Sequence, residues 1–227
     1  MVNLSAHYSV ARPGSLPVRI AGYQRRKMFQ AFLATGVTAS DTILDIGASS
    51  DRTYDHSNYL ESWYAHKAAI TALGIDAGAA FLEQAHPGLK FVHGDGRDLP
   101  FADGAFDYVH SSAVLEHVGS RDRQRAFIAQ AVRVARKCVF LTTPNRWFPV
   151  EFHTVLPLVH WLPKPAFRGV VAALGNDFLA REENLNLLSA GDLKTLCGEL
   201  SLQGQARVTG ARLLGIVSNL ILIVKKA

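Results

Sequence analysis

The sequence predicts an α/β domain built on a doubly wound, mostly parallel seven-stranded sheet that closes with an antiparallel C-terminal hairpin. Three observations predict it. From residue 40 onward, short apolar runs alternate with helix-like stretches, the pattern of βαβ units with right-handed crossovers. The first three apolar runs carry an acid at or near their ends, at Asp45, Asp76 and Asp95. The last two runs, QARVTGARL and IVSNLILIVKK, are joined by a short link around Gly215, as antiparallel neighbours are.

Taken in order, strands are expected at 43–47, 70–76, 89–95, 106–112 and 138–144. A helix should fill 59–69, and a short one 79–85, stopped by Pro87 and Gly88. Between 120 and 137 the apolar residues Phe127, Ile128, Ala131, Val132 and Ala135 recur at helical spacing with arginines opposite, and Ser120 is placed to cap that helix. Residues 145–190 hold four prolines and many bulky apolar side chains but no clear strand, and a helix is expected at 192–200. The chain thus reads as one domain: a helical cover (1–40), a ligand-binding half (41–145), an apolar segment (146–190), and a helix with the closing hairpin (191–227).

A chain of 227 residues with 48% apolar and 19% charged residues can bury one sizeable core. Its net charge of +5 is compatible with an anionic ligand, a membrane surface or nucleic acid alike. Cys138 and Cys197 offer neither a disulfide framework nor metal-ligand spacing, and no charged-then-apolar leader opens the sequence, so the expected compartment is cytoplasmic. The longest apolar run, 213–224, is interrupted by Ser218 and Asn219 and falls short of the roughly 20 residues a bilayer span needs.

In a parallel sheet, Asp45, Asp76 and Asp95 gather along one edge, where such sheets bind ligands. A carboxylate there can accept both hydroxyls of a ribose, or the exocyclic amine of adenine. A single aspartate at a strand end is usually only a turn residue; three in register point to a nucleoside.

The stretches ILDIGA, GID and GDGRDLPFADGAFDYVHSSAVLEHV resemble the class I S-adenosylmethionine-dependent methyltransferases, in particular the small-molecule branch that includes the quinone-biosynthesis enzymes. The resemblance covers residues 40–145 in order and implies S-adenosyl-L-methionine as cofactor, with S-adenosylhomocysteine as product. Carried over by motif, the first loop (Asp45, Gly47, Ala48, Ser49) would pass the methionine part. Asp76 with Ala77 would hold the ribose, Asp95 with Gly96 and Arg97 would meet the adenine, and Ser111 and Ser112 would flank the site.

The first loop departs from the family pattern, because only Gly47 of its usual glycines is in place. Gly47 and Asp76 lie 29 residues apart, against the roughly 20 of a dinucleotide fingerprint, which disfavours a nicotinamide enzyme. The longer loop brings Arg52, Tyr54, His56 and Asn58 toward the cofactor's amino-acid end, where Arg52 is expected to pair with the carboxylate.

Methyl transfer to a hydroxyl benefits from a base, and histidine suits neutral pH. His117 in LEHV is the first candidate; His153 with Glu151, after the fifth strand, is the second, and His160 with Trp161 a third. His110, inside a strand, reads as structural. In the quinone-precursor enzymes Glu and His of this motif resemble a metal site with a further Glu one turn earlier; here that position is Ala113, so no metal is expected.

The sequence reading is therefore methylation of a small-molecule or lipid-like acceptor, on oxygen, beneath an apolar lid. Peripheral membrane contact is compatible with that lid. Nucleic acid is not an expected acceptor, since HSSAV replaces the Asn-Pro-Pro-Tyr motif of base-amine methylation. The alternative is a non-catalytic module that binds S-adenosylmethionine or another nucleoside. The sequence is silent on oligomeric state.

Overall fold

The computed structural model describes residues 15–52, 54 and 56–226. Its strands are β1 (Ile43–Ile46), β2 (Ile70–Gly74), β3 (Lys90–His93), β4 (Phe106–Ser112), β5 (Ala135–Pro144), β6 (Ala206–Leu213) and β7 (Ile216–Lys225). They form one sheet in the order β3-β2-β1-β4-β5-β7-β6. The first five are parallel, and β7 runs antiparallel to both β5 and β6. The closing hairpin therefore lies at the sheet edge with its second arm inward, because β7 is the more apolar arm and pairs on both sides. The strand order reverses between β1 and β4, which opens the crevice beyond their C-terminal ends.

Period-2 alternation explains why the sheet is covered on both faces. Leu44, Ile46, Val109, Val139 and Leu141 point to one side, where they pack with Phe127, Ile128 and Ala131 of α4 (Arg121–Val134) and Leu193 and Leu196 of α6 (Ala190–Glu199). Ile43, Tyr108 and Phe140 point to the other. There they meet Met28, Phe29 and Phe32 of α1 (Leu16–Leu33), Tyr59 and Leu60 of α2 (Tyr59–Trp63) and Leu82 of α3 (Phe81–Ala85). The caps act as expected: the Ser120 side chain accepts from Arg123 N, and Ser189 with Asp192 forms a reciprocal capping box.

Two expectations require correction. The helix expected over 59–69 ends at Trp63. Tyr64 is extended and buried, its hydroxyl donating to Thr38 O at 2.9 Å, and the Lys67 ammonium folds back onto the Glu61 and Ser62 carbonyls that the helix end leaves open. The helix expected between 120 and 137 ends at Val134, and Ala135, taken as one of its apolar positions, opens β5 three residues before the strand was expected. The apolar segment 146–190, where no strand was expected, contains α5 (Lys164–Ala173), started by Pro163 and Pro165. Its Phe167 and Val171, one helical turn apart, form a separate small core with Leu179, Leu185 and Leu187. Among the described residues, no helix is long and apolar enough to cross a membrane.

Candidate active site at the strand tips

The end of β1 needs a glycine for reasons of space as well as backbone. Gly47 has φ +105°, and a Cβ there would lie 2.1 Å from Val114 Cγ2. Its amide and that of Ala48 both donate to Leu73 O, at 2.7 and 3.0 Å, locking the tip of β1 against β2. The glycines missing further along are replaced by side-chain wiring. The Asn58 side chain accepts from Ser49 N and donates to Ser49 O, both at 2.9 Å, as a strand neighbour would. Ser57 Oγ donates to Asp51 Oδ2 at 2.9 Å.

Beside this tip lies a buried chain of polar groups. The Tyr59 hydroxyl donates to His110 Nε2 at 2.8 Å, and His110 Nδ1–H donates to Asp45, its cross-strand partner. Burial holds His110 down at about 4, so it is neutral and its contact with Asp45 is a hydrogen bond rather than an ion pair. Burial also pushes Asp45 up to about 6. Glu61 is fully buried and hydrogen-bonded side chain to side chain with Asp45, and neither of its oxygens receives a hydrogen bond from any other described residue. Burial and the Asp45 charge together raise its pKa well above the usual range. From α1 the partly buried Arg25 completes the group; desolvation draws its pKa down, opposed by Tyr59, Asp51 and Tyr54.

These residues fit the amino-acid end of S-adenosylmethionine. Two carboxyl groups without a cation can take its ammonium, and Arg25 can take its carboxylate. Arg52, expected from the sequence to do the latter, is exposed and lies 4.0 Å above the Phe81 ring instead. Asp76 follows β2, where it accepts from Gly78 N at 2.8 Å and from Ser50, beside the exposed Ala77. Asp95 is gripped by its neighbour Arg97, whose Nε lies 2.9 Å from Oδ1, and that bond chiefly holds its carboxyl below the usual range.

Three of the residues carried over by resemblance have packing roles. Ser111 Oγ donates to Ile46 O at 2.7 Å, tying β4 to β1. Ser112 accepts from Thr142 at 3.1 Å. Gly96 makes room for the core, since a Cβ there would meet Phe127 at 2.5 Å and Ile46 at 2.6 Å. An open hollow bordered by Asp41 and Lys67 lies at the N-terminal ends of the strands, away from the ligand edge.

The tips of β4 and β5 bring together the candidates for proton transfer. Beyond β4, Ala113 turns the chain with φ +55°, and a single 3₁₀ turn carries Glu116 and His117. Beyond β5, Glu151 and His153 sit in a tight turn. Glu151 is buried and accepts from His153 N (2.9 Å), His153 Nδ1 (2.7 Å) and Thr154 N (2.6 Å). Burial alone would raise this carboxyl; the His153 charge and these bonds win and hold it at about 2. Burial lowers His153 in turn, but Glu151 overrides it and the net direction is upward.

His117 Nδ1–H donates to Asn184 O at 2.6 Å, which leaves Nε2 as an acceptor, 3.1 Å from His153 Nε2. Two neutral imidazoles so arranged would oppose their lone pairs. One proton between them turns that repulsion into a hydrogen bond. Burial first, then the His153 charge, lower His117 to about 3, so the pair holds one proton and resists a second. Glu116, fully buried, accepts from Thr143 at 2.8 Å on one oxygen, while the other has no hydrogen bond and lies 3.8 Å from His117 Nε2; burial pushes it up to about 7.

The donor atoms of Glu116, His117 and His153 lie within 4.8 Å of one another, close enough to hold a divalent cation. The absence of metal expected from the sequence rested on Ala113; the structure supplies a third donor from another element, so that argument no longer stands. His160, the other candidate, gives Nε2–H to Phe148 O at 2.7 Å and is buried inside the lid.

The strand order and the crevice at the strand tips are those of the Rossmann-like fold of class I S-adenosylmethionine-dependent methyltransferases. Residues 44–141 match the family model described as a methyltransferase domain. A probable phthiotriol/phenolphthiotriol dimycocerosates methyltransferase 2 of Mycobacterium ulcerans is 53% identical over 133 residues, covering 56% of this chain and 45% of that protein. A phthiotriol/phenolphthiotriol dimycocerosates methyltransferase of Mycobacterium tuberculosis is 37% identical over 87 residues, 37% of this chain and 28% of its own length. The chain thus spans less than half the length of these relatives. In fold it is similar to the magnesium protoporphyrin IX methyltransferase of Synechocystis PCC 6803, solved with bound S-adenosylhomocysteine. That likeness has a TM-score of 0.61 at 14% identity and covers 99% of this chain and 93% of the other.

Proposed function

We propose that the protein methylates a hydroxyl of a long-chain, lipid-like acceptor, with residues 146–190 as the acceptor lid. The observation that carries this reading is the His117–His153 pair, with both Nδ1 atoms committed and both Nε2 atoms 3.1 Å apart at the ligand edge of the sheet. Bound S-adenosylmethionine supplies an electrophilic methyl group; the protein has to align an oxygen and remove its proton. The imidazole pair, once it has given up the proton it shares between the two Nε2 atoms, takes the hydroxyl's proton. His117, the more exposed of the two, meets the hydroxyl, and the His153–Glu151 couple stabilises the charge that results. Among the groups that would hold the cofactor, Asp45, Glu61 and Arg25 suit its amino-acid end, Asp76 its ribose and Asp95 its adenine. The names of the mycobacterial relatives place a lipid among their acceptors, which supports a lipid-like acceptor here.

The test uses methyl-tritiated S-adenosylmethionine and a detergent-dispersed long-chain alcohol. The expected product is a labelled methyl ether, with His117→Ala and His153→Ala slowing turnover by roughly 10²–10⁴-fold at unchanged cofactor affinity. Label on nitrogen or carbon, or full rates in both variants, refutes the proposal.

A further inference from the structure

The segment that supplies Glu151 and His153 also carries an unusual surface. Six of the twelve large apolar side chains exposed among the described residues fall between 147 and 162: Trp147 (50%), Val150 (37%), Val155 (43%), Leu158 (49%), Trp161 (43%) and Leu162 (43%). The two tryptophan rings meet edge-on at 6.3 Å. Val155 and Leu158 hold left-handed backbone, with φ of +57° and +61°, a costly conformation for branched side chains. The turn is nonetheless pinned, by Glu151 N to Leu156 O at 3.1 Å and Leu158 N to Pro149 O at 2.8 Å. Strain that holds apolar side chains in water is not a by-product of packing.

The rim of this patch is cationic. Arg146, Lys164 and Arg168 line one crevice with His160, Phe167 and Asn186. Arg146 donates to the carbonyls of His160 and Leu162, Lys164 to Asn186 Oδ1 at 2.6 Å, and Arg168 meets Glu182 at 3.1 Å. Burial first, then repulsion from Arg146 and Arg168, depress Lys164, opposed by Asp192 and Glu182. From 145 to 176 the only acid in the sequence is Glu151, which is buried. An apolar face with two tryptophans, bordered by Arg146, Lys164 and Arg168 against one exposed acid, Glu182, that pairs with Arg168, is complementary to an anionic bilayer, whereas a second copy of the same face would bring like charges together.

We propose that residues 146–168 dock on an anionic lipid bilayer, Trp147, Val155, Leu158 and Trp161 entering the interface and Arg146, Lys164 and Arg168 facing lipid phosphates. This rests on the lipid-acceptor reading, because docking sets Glu151 and His153 at the depth where a long-chain hydroxyl resides.

The test is co-sedimentation of the whole chain with phosphatidylcholine vesicles, with and without phosphatidylglycerol. Binding to the anionic vesicles is expected. The Trp147→Ser/Trp161→Ser double variant should lose most of it with S-adenosylmethionine affinity unchanged, and Lys164→Gln and Arg168→Gln should each weaken it about fivefold. A wild-type protein that ignores anionic vesicles overturns the proposal. So does equal binding by all variants, inorganic phosphate saturating the crevice without partition, or a tryptophan variant whose only change is a lost dimer. Methyl transfer to a dispersed alcohol without vesicle binding leaves the methyltransferase reading intact and removes the docking one; vesicle binding without methyl transfer does the reverse.

Discussion

Glu151→Gln separates the proposed role of the imidazole pair from mere proximity. The Glu151 carboxylate accepts three N–H bonds while buried, and its pKa falls from the usual 4.5 to about 2. At 1.36 kcal/mol for each factor of ten in proton affinity, that drop corresponds to roughly 3 kcal/mol of preference for the ionised form in the fold. A group whose pKa is depressed by folding adds stability above its unfolded value, and loses it as the pH falls through the folded one. The variant should therefore be less stable than wild type at pH 7 by about 3 kcal/mol in urea titrations, and the gap should close between pH 4.5 and about 2. His153 has the opposite sign: its raised pKa adds stability below the ordinary histidine value, lost as the pH rises through the raised one. Without the Glu151 charge the cause of that rise is gone. In pH profiles of kcat/KM, the limb on which the pair loses its proton should move to lower pH, and the plateau should drop by about 10²-fold. A folded variant whose limb stays in place refutes the pair as the base.

Three further outcomes follow from the strand tips. Gly47→Ala must adopt left-handed backbone and displace Val114, so it should cost at least about 2 kcal/mol in chemical denaturation. Glu61→Gln removes a buried carboxyl whose raised pKa makes it a growing liability as the pH climbs above 4.5. The variant should be more stable than wild type in melts at pH 8, yet bind S-adenosylmethionine about tenfold more weakly by calorimetry. Arg25→Ala should weaken cofactor binding by tenfold or more, as loss of a charge-assisted bond worth roughly 1.5–3 kcal/mol does, whereas Arg52→Ala should change it little.

Much of this was legible in the sequence because it depends on local pattern. Apolar runs marked β4 and β7, the cap at Ser120 marked α4, and the acids marked the strand tips. His117, Glu151 and His153 were legible as candidates, but their meeting was not: it depends on Ala113 turning after β4 and on Glu151 pinning its own turn after β5, neither of which leaves a periodic trace. Glu61 was missed because a glutamate in a helix reads as a solvated face, and only α2 packing against β1 and β4 buries it. Arg25 was passed over in a run of three basic residues, of which the fold turns one toward Asp51, Tyr54 and Tyr59. The polar residues of the longer loop were read as reaching toward the cofactor; that Asn58 holds the Ser49 backbone left no trace in the sequence.

The most direct measurement is a nuclear Overhauser spectrum of the protein saturated with S-adenosylmethionine carrying a carbon-13 methyl group. A cross-peak between that methyl and the Hε1 proton of His117 or His153, lost in the corresponding alanine variants, is the predicted result. A saturated complex whose methyl group contacts neither imidazole contradicts the account.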